Sequence, residues 1–352
     1  MEKEYLIINN DYISIGTKLL MEVGVPEEHA EITMLSLLDA DQKGVYTHGF
    51  FRLSTYLKQI ARGNINPKPV IEIKQKGTNI RLVDGNGGLG SVVSYYAMKE
   101  AIEISRERGV GVVGVKGSNH FGTAAYYAEM AAAKGKIGIV MTNASPAIAP
   151  TGGKKVVLGN NPWSISVCSN LGYPITLDMA NSIARGKIRL KALTGESIPV
   201  GWALNREGEP TTNAKEALEG IILPIGDHKG YGIALMIDLL AGVLTGAQFG
   251  IQNPGVEENG KRNNGHLFIS LNIEAFMSMD EFNKRTDELI EMIRSVPKID
   301  ENKSIFLPGE IEWENKLSQK KGTTKIPERI IKQIELLCKE RKVLFPILQE
   351  VN

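Results

Sequence analysis

The hydrophobic positions of the chain fall into two textures. From about residue 9 to 61, apolar residues recur at helical spacing. Pro26 and Glu27 open one such run, with Ala30, Met34, Leu37 and Leu38 on a common side. A second runs from near His48 to Ile60, until Arg62-Gly63-Asn64-Ile65-Asn66-Pro67 breaks it. From about 70 the period shortens. The β-branched runs VIEIK, NIRLVD, GVGVVGV, KIGIVMT, WSISVC, YPITLD and HLFISLNI read as strands, separated by glycine turns and by helical stretches such as SVVSYYAMKEAIEIS. Strands interleaved with helices predict α/β layers. Beyond about 280 the pattern is helical and charged again (EFNKRTDELIEMIRS, PERIIKQIELLCKERK). The expected organisation is a helical domain built from residues 1–70 plus 282–352, around an α/β cofactor- and substrate-binding domain at 71–281.

Composition narrows the partners. A chain of 352 residues can bury a large core without covalent staples. Lys+Arg total 41 against 40 Asp+Glu, so no global field draws nucleic acid or membrane. Cys168 and Cys338 are far apart in sequence, which suits a reducing compartment and no disulfide framework. MEKEYLIINNDY carries acidic residues where a signal peptide needs a basic start and an apolar core. The longest apolar run, YGIALMIDLLAGVL, is too short to span a bilayer and contains Asp238. A cytoplasmic location is expected.

Four groups of residues carry candidate chemistry. Gly117-Ser118-Asn119-His120-Phe121-Gly122 lies between the strand GVVGV and the helix TAAYYAEMAAAKG. If Ser118 or Asn119 caps that helix, His120 sits in its first turn, where the helix dipole disfavours a positive imidazole. Such a histidine can take a proton from a hydroxyl or return one to a carbonyl; it can equally be a capping residue. His48, Arg52 and Tyr56, at i, i+4 and i+8, are expected on one helical face, where the guanidinium can grip a carboxylate in a bidentate fork, or else form the polar outward side of an ordinary amphipathic helix. Asp178, ending the strand YPITLD, is placed to bond ribose hydroxyls, orient a base, or form a turn. Lys229-Gly230, opening the apolar helix after His228, can bring cation and backbone close to a cofactor, or be a loop lysine ahead of a buried helix.

Two further readings bound the picture. Gly85-Asn86-Gly87-Gly88-Leu89-Gly90 matches G-x-G-x-x-G, but the following strand GVVGV ends in Lys116-Gly117-Ser118 rather than in the acidic residue a dinucleotide ribose needs. A glycine turn packing a helix onto a sheet is the favoured explanation. His29 and His266 read as a surface and a strand histidine, and no His, Cys, Asp or Glu set has metal-ligand spacing, so no metal is expected.

Taken in order, these segments resemble the type-2 malate/L-lactate dehydrogenase family over nearly the whole chain. The carriers are Thr47-His48-Gly49 with Arg52 and Tyr56, Ser118 to Gly122, Thr142-Asn143-Ala144-Ser145-Pro146, Gly159-Asn160-Asn161-Pro162, Asp178-Met179-Ala180, Gly201-Trp202-Ala203-Leu204, Pro210-Thr211-Thr212, Lys229-Gly230-Tyr231-Gly232 and Leu307-Pro308-Gly309-Glu310. The resemblance implies a mixed-sheet α/β core without a Rossmann fingerprint, a helical domain from both chain ends, and a homodimer with its active site near the subunit boundary. It implies that His120 is the catalytic acid/base with His48 as second candidate, and that Arg52 and Tyr56 bind substrate. It implies cofactor binding by Asn143 and Ala144, by Asp178, Met179 and Ala180, by Lys229 and Gly230, and by Pro308, Gly309 and Glu310. The expected activity is an NAD(P)-dependent interconversion of a small 2-hydroxy acid and its 2-oxo acid, malate/oxaloacetate or lactate/pyruvate. Ureidoglycolate, sulfolactate or a cyclic imino acid is the alternative substrate, and a non-catalytic binding protein the alternative class. Asp227, if directed inward, would disfavour a 2′-phosphate and so favour NAD over NADP.

Overall fold

The computed structural model describes residues 3–183, 185–254, 260–346 and 348–350. In chain order the elements are β1 (Glu4–Ile8), α1 (Asn9–Glu22), α2 (Glu27–Gln42), α3 (Leu53–Ala61), β2 (Glu72–Gln75), β3 (Ile80–Asp84), α4 (Gly90–Arg108), β4 (Val110–Ser118), α5 (Ala124–Ala132) and β5 (Lys136–Thr142). There follow β6 (Pro146–Ile148), β7 (Leu158–Gly159), β8 (Trp163–Val167), β9 (Ile175–Met179), α6 (Arg185–Thr194), β10 (Ala203–Leu204), α7 (Ala214–Glu219), β11 (Ile221–Ile222) and α8 (His228–Ile237). The chain closes with β12 (Asn264–Asn272), α9 (Met279–Arg294), α10 (Glu310–Leu317), β13 (Thr323–Pro327), α11 (Glu328–Glu340) and β14 (Gln349–Glu350).

The seven β-branched runs all become strands of one mixed sheet, ordered β2-β3-β4-β12-β5-β8-β9. Only β3 and β4 pair in parallel, through the crossover helix α4; the other neighbours are antiparallel. Because β12 runs between β4 and β5, those two strands point the same way, and β9 joins them two strands further along. The carboxyl ends of β4, β5 and β9 therefore meet the start of β12 along one edge of the sheet. In an open α/β sheet that is where ligands bind.

Helices α4 and α5 cover one face, burying Val93, Met98 and Tyr127 against Val83, Val113, Val140 and Phe268. A second core draws on both chain ends, with Tyr12, Leu19, Met34, Leu37, Leu53 and Leu57 packed on Ile326, Ile330 and Ile334. Here the structure departs from the purely helical ends the sequence suggests. β1 pairs antiparallel with β13 and β14, so a three-stranded sheet stitches the termini together. These strands are only two to five residues long and flanked by charged sequence, too short to show an alternating pattern. Among the described residues, α9 adds nothing to this second core. A smaller lobe, built on α6, α7, β10 and β11, has its own core of Ile188, Ile198, Ala203, Ala217 and Ile222.

Candidate active site

His48, Arg52 and Tyr56 come together, but not on one helix. His48 lies in a turn ahead of a short 3-10 segment, Phe50–Arg52, and only Tyr56 is on α3. The helical spacing is coincidental because Gly49 interrupts the run. The turn is pinned from below by the buried carboxylate of Asp41, which accepts from the Phe50 amide at 2.8 Å and from the Tyr12 hydroxyl at 2.6 Å. A side chain at Gly49 would collide with Asp41: an added Cβ would lie 1.8 Å from its Oδ1. Thr47 orients both neighbours. Its hydroxyl is 3.0 Å from His48 Nδ1, and its carbonyl accepts from Arg52 Nε at 2.7 Å.

His120 also stands differently from the expectation. Helix α5 begins at Ala124 with Thr123 at its N-cap, so His120 precedes the first turn in the loop after β4. Neither Ser118 nor Asn119 caps the helix. Ser118 ends β4, and the Asn119 amide donates to the carbonyls of Gly87 and Gly88 at 3.0 and 2.8 Å. The helix dipole is therefore not what keeps this imidazole neutral. Burial, then the Arg52 guanidinium, His48, Arg262 and His266, hold His120 well below the usual histidine range. Burial and Arg52 push His48 down to about 3. The two rings stack, 5.5 Å between centroids and 27° between planes. Two neutral imidazoles can stack this closely; two imidazolium rings would repel each other. The buried Tyr56 hydroxyl lies 2.8 Å from His120 Nδ1.

The stacked pair borders two spaces. On the His48 side is a cavity of 370 Å³ between α2, α5, β9 and the start of α10. Its walls include Asp178, Met179 and Ala180 at the end of β9, Pro308 and Gly309 before α10, and Lys43, Glu129 and Glu312. Asp178 keeps accessible surface because it faces the cavity, while protein surrounds it on its other sides. Burial raises its carboxyl to about 6, opposed by the Ala125 amide, which donates to it at 2.9 Å. Gly309, at φ 81°, approaches the Thr176 carbonyl so closely that a Cβ there would sit 2.7 Å from it. On the His120 side is a narrow chamber of 20 Å³, lined by Arg52, Tyr56, Asn119, His120 and Arg262. It adjoins an open recess of 500 Å³, with Ile65 and Arg262 common to both.

The other residues singled out in the sequence lie away from the large cavity. Asn143 is a buried junction: its side-chain amide donates to the Gln248 carbonyl and Asp238, while its oxygens accept from Gly265 and Asn264. The Ala144 amide donates to Asn161. Lys229 is exposed in the first turn of α8, and Gly230 is buried against the carbonyls of Ile225 and Asn181. Glu310 is nearly buried and turned to Arg294, Tyr173 and the Leu307 amide. Asp227 is exposed, accepts from Thr151 at 3.0 Å and does not line the cavity, so the inward orientation behind the NAD preference is not found.

The glycine run supports the site by close packing. A Cβ at Gly90 would lie 2.2 and 2.4 Å from the carbonyl oxygens of Asn119 and His120. The run is the bed on which the His120 loop rests. Two residues near His120 were not picked out as site residues. Arg262 leads into β12 and has a neighbour, Asn263, whose side chain accepts from the Gly117 amide at 2.6 Å. His266 bridges β4 and β5, 2.8 Å from Ser118 Oγ and 2.6 Å from Thr142 Oγ1, and its ring stacks 4.7 Å from Phe121. Only the register of β12 against β4 and β5 brings either to the site, and no local motif signals that. Among the described residues no group of three His, Cys, Asp or Glu could hold a metal, and no helix is long and apolar enough to cross a membrane.

Comparison with known proteins accords with this geometry. A family model described as malate/L-lactate dehydrogenase matches residues 9–335. The L-sulfolactate dehydrogenase of Methanocaldococcus jannaschii is 44% identical over 325 residues, covering 92% of this chain and 93% of the relative. The malate/(S)-sulfolactate dehydrogenase of Methanothermus fervidus is 40% identical over 332 residues, covering 94% and 96%. The solved sulfolactate dehydrogenase from Methanocaldococcus jannaschii superposes with a TM-score of 0.90 at 40% identity, covering 96% of this chain and 98% of that one. Names of further relatives specify NADP+ in one case and NAD+ in another.

Proposed function

The chain belongs to the malate/L-lactate dehydrogenase family, oxidoreductases that act on 2-hydroxy acids with a nicotinamide coenzyme, and from that premise we propose that it interconverts malate and oxaloacetate, or the corresponding sulfolactate pair, with His120 as acid/base. One observation carries this reading. His120, Tyr56-bonded and held below the usual histidine range, shares a chamber with Arg52, and the His48 ring stacked on it lines the adjoining cavity suited to a nicotinamide coenzyme, so that substrate C2 and the nicotinamide would meet beside the stacked pair. The alternative pair, lactate and pyruvate, uses the same machinery.

The large cavity fits the coenzyme by its donor set. Asp178 offers a carboxylate to ribose hydroxyls, Met179 and Pro308 offer apolar walls, and Ala180 and Gly309 offer backbone. Lys43 and Glu129 are paired in the lining, so Asp178 and Glu312 set its net acidic character, which disfavours a 2′-phosphate and favours NAD over NADP. A bound nicotinamide supplies the hydride exchanged at C2 of the substrate. Asn143 and Ala144, and Lys229 and Gly230, lie away from this cavity, while Glu310 directly follows its wall residue Gly309.

The protein's own part is positioning and proton transfer. Arg52 grips the C1 carboxylate of the substrate in a bidentate fork. That anion offsets the guanidinium charge that disfavours a proton on His120, so in reduction substrate and proton enter together. His120 then gives the proton to the oxygen on C2, and in oxidation it takes that proton back. The Tyr56 hydroxyl can donate to a bare Nδ1 and accept from a protonated one, so it follows the ring through both states. His48, stacked on His120, stabilises the developing alkoxide or shares the proton path.

We further propose a cytoplasmic homodimer. Ile233, Met236, Leu239, Val243 and Leu244, on α8 and the turns after it, leave an apolar strip on the surface, the kind of face a second subunit covers. The deciding experiment is a spectrophotometric panel. NADH and NADPH are each tried with oxaloacetate, 3-sulfopyruvate, pyruvate, oxalurate and a cyclic imine. Oxidation of NADH by oxaloacetate or 3-sulfopyruvate is expected; no oxidation in any well would overturn the assignment.

A further inference from the structure

The chamber at His120 holds a second guanidinium. Arg52 approaches from the turn before α3, and Arg262 from the segment entering β12, about two hundred positions later in the sequence. Both charges act on His120 and on Tyr56, so both sit close to the acid/base pair. Their places differ. Arg52 belongs to the narrow chamber, while Arg262 stands where that chamber meets the 500 Å³ recess. The Arg262 backbone is held in register by Asn263, which bonds the Gly117 amide at 2.6 Å and, through its own amide, Gln248 at 3.1 Å. Lys261 lines the recess beside it.

We propose that Arg262 is the specificity-determining residue for the C3 substituent of the substrate, gripping a second anionic group, carboxylate or sulfonate, while Arg52 holds the C1 carboxylate. This rests on the reading of the chamber as the seat of a 2-oxo acid, and it deepens that reading. The physical reason is position. A 2-oxo acid held at C1 by Arg52 has a C3 substituent whose length carries it out of the narrow chamber toward the recess, and Arg262 lines both spaces at that junction. Planar carboxylate and tetrahedral sulfonate both present oxygens to a guanidinium fork, so the shared chemistry is a C3-linked anion.

The test uses the full chain with its preferred nicotinamide coenzyme. Arg262→Gln and Arg262→Lys are compared with the wild type on oxaloacetate, 3-sulfopyruvate and pyruvate. For Arg262→Gln, the ratio of kcat/KM on each dianion to that on pyruvate should fall by about 50-fold, a ratio in which any change common to all substrates through His120 cancels; Arg262→Lys should recover part of the loss. Loss on only one dianion would assign the site to that group alone, within the proposal. An equal loss on all three substrates would make Arg262 a structural residue, and an unchanged dianion response would remove it from the site; either overturns the proposal. A second readout does not need turnover. Malate and 3-sulfolactate should raise the Tm of the wild type more than lactate does, and Arg262→Gln should lose that difference. Equal shifts for lactate and the dianions on the wild type overturn the proposal as well. If the wild type reduces none of the three 2-oxo acids, the proposed function fails, and the thermal comparison still decides the role of Arg262.

Discussion

Removing one oxygen atom tests the heart of the site. Tyr56→Phe keeps the ring of a residue that is 3% exposed and deletes the hydroxyl 2.8 Å from His120 Nδ1. Burial pushes that phenol up to about 12, so it stays protonated at any working pH and is always able to donate. Without it, Nδ1 of a buried imidazole has no partner in either protonation state. Leaving such a group unsatisfied costs about 2 kcal/mol, which corresponds to a roughly 30-fold slower chemical step if His120 moves the proton. Steady-state kinetics should show that loss in kcat, with the coenzyme KM close to wild type because Tyr56 faces away from the large cavity. Tm of the variant checks that folding is intact. A kcat within about twofold of wild type, in a variant that folds normally, would refute the claim that Tyr56 serves His120.

Three further outcomes follow from the same geometry. His120→Asn should lower turnover by more than about 10²-fold while coenzyme affinity, read by fluorescence titration, stays within about twofold; near-normal turnover would give the proton work to His48. Arg52→Lys should mainly raise the substrate KM, since a point charge replaces a fork, and an unchanged substrate response would place Arg52 outside recognition. Asp41→Asn concerns stability, because burial first, against donation from Phe50 and Tyr12, raises this carboxyl from 3.8 to about 7. A raised carboxyl contributes stability that is fully present below the unfolded value and is lost as pH rises through the folded one. The variant should therefore match wild type near pH 4 and exceed it by up to ~4 kcal/mol above pH 7. Urea unfolding at both pH values checks this, and a stability difference that does not change with pH would show that the Asp41 carboxyl titrates in the folded protein as it does in the unfolded one.

What the sequence determines by itself is local and periodic. The seven β-branched runs alternate or stay apolar over four to nine residues, and each became a strand of the main sheet. The order of short motifs was enough to show a dehydrogenase family and to pick out His48, Arg52, Tyr56, His120 and Asp178, all of which line one of the two spaces. The glycine run was legible too, because a missing acidic residue argued against a phosphate cradle, and the structure fills Gly90 with the backbone of His120.

Everything that depends on long-range pairing was decided by the tertiary structure. Spacing at i, i+4 and i+8 suggested one helix for His48, Arg52 and Tyr56, but a buried carboxylate on α2 pins a turn there instead. The neutrality of His120 comes from burial and from Arg52, His48, Arg262 and His266, not from the helix it was expected to begin. Arg262 and His266 are more than 140 residues from His120 in sequence and reach it only because β12 inserts between β4 and β5. Sequence periodicity records which face of an element is apolar; it carries no information about which strand will lie beside which. Strand order sets the charge around the catalytic imidazole, so the site's electrostatics had to be read from the fold.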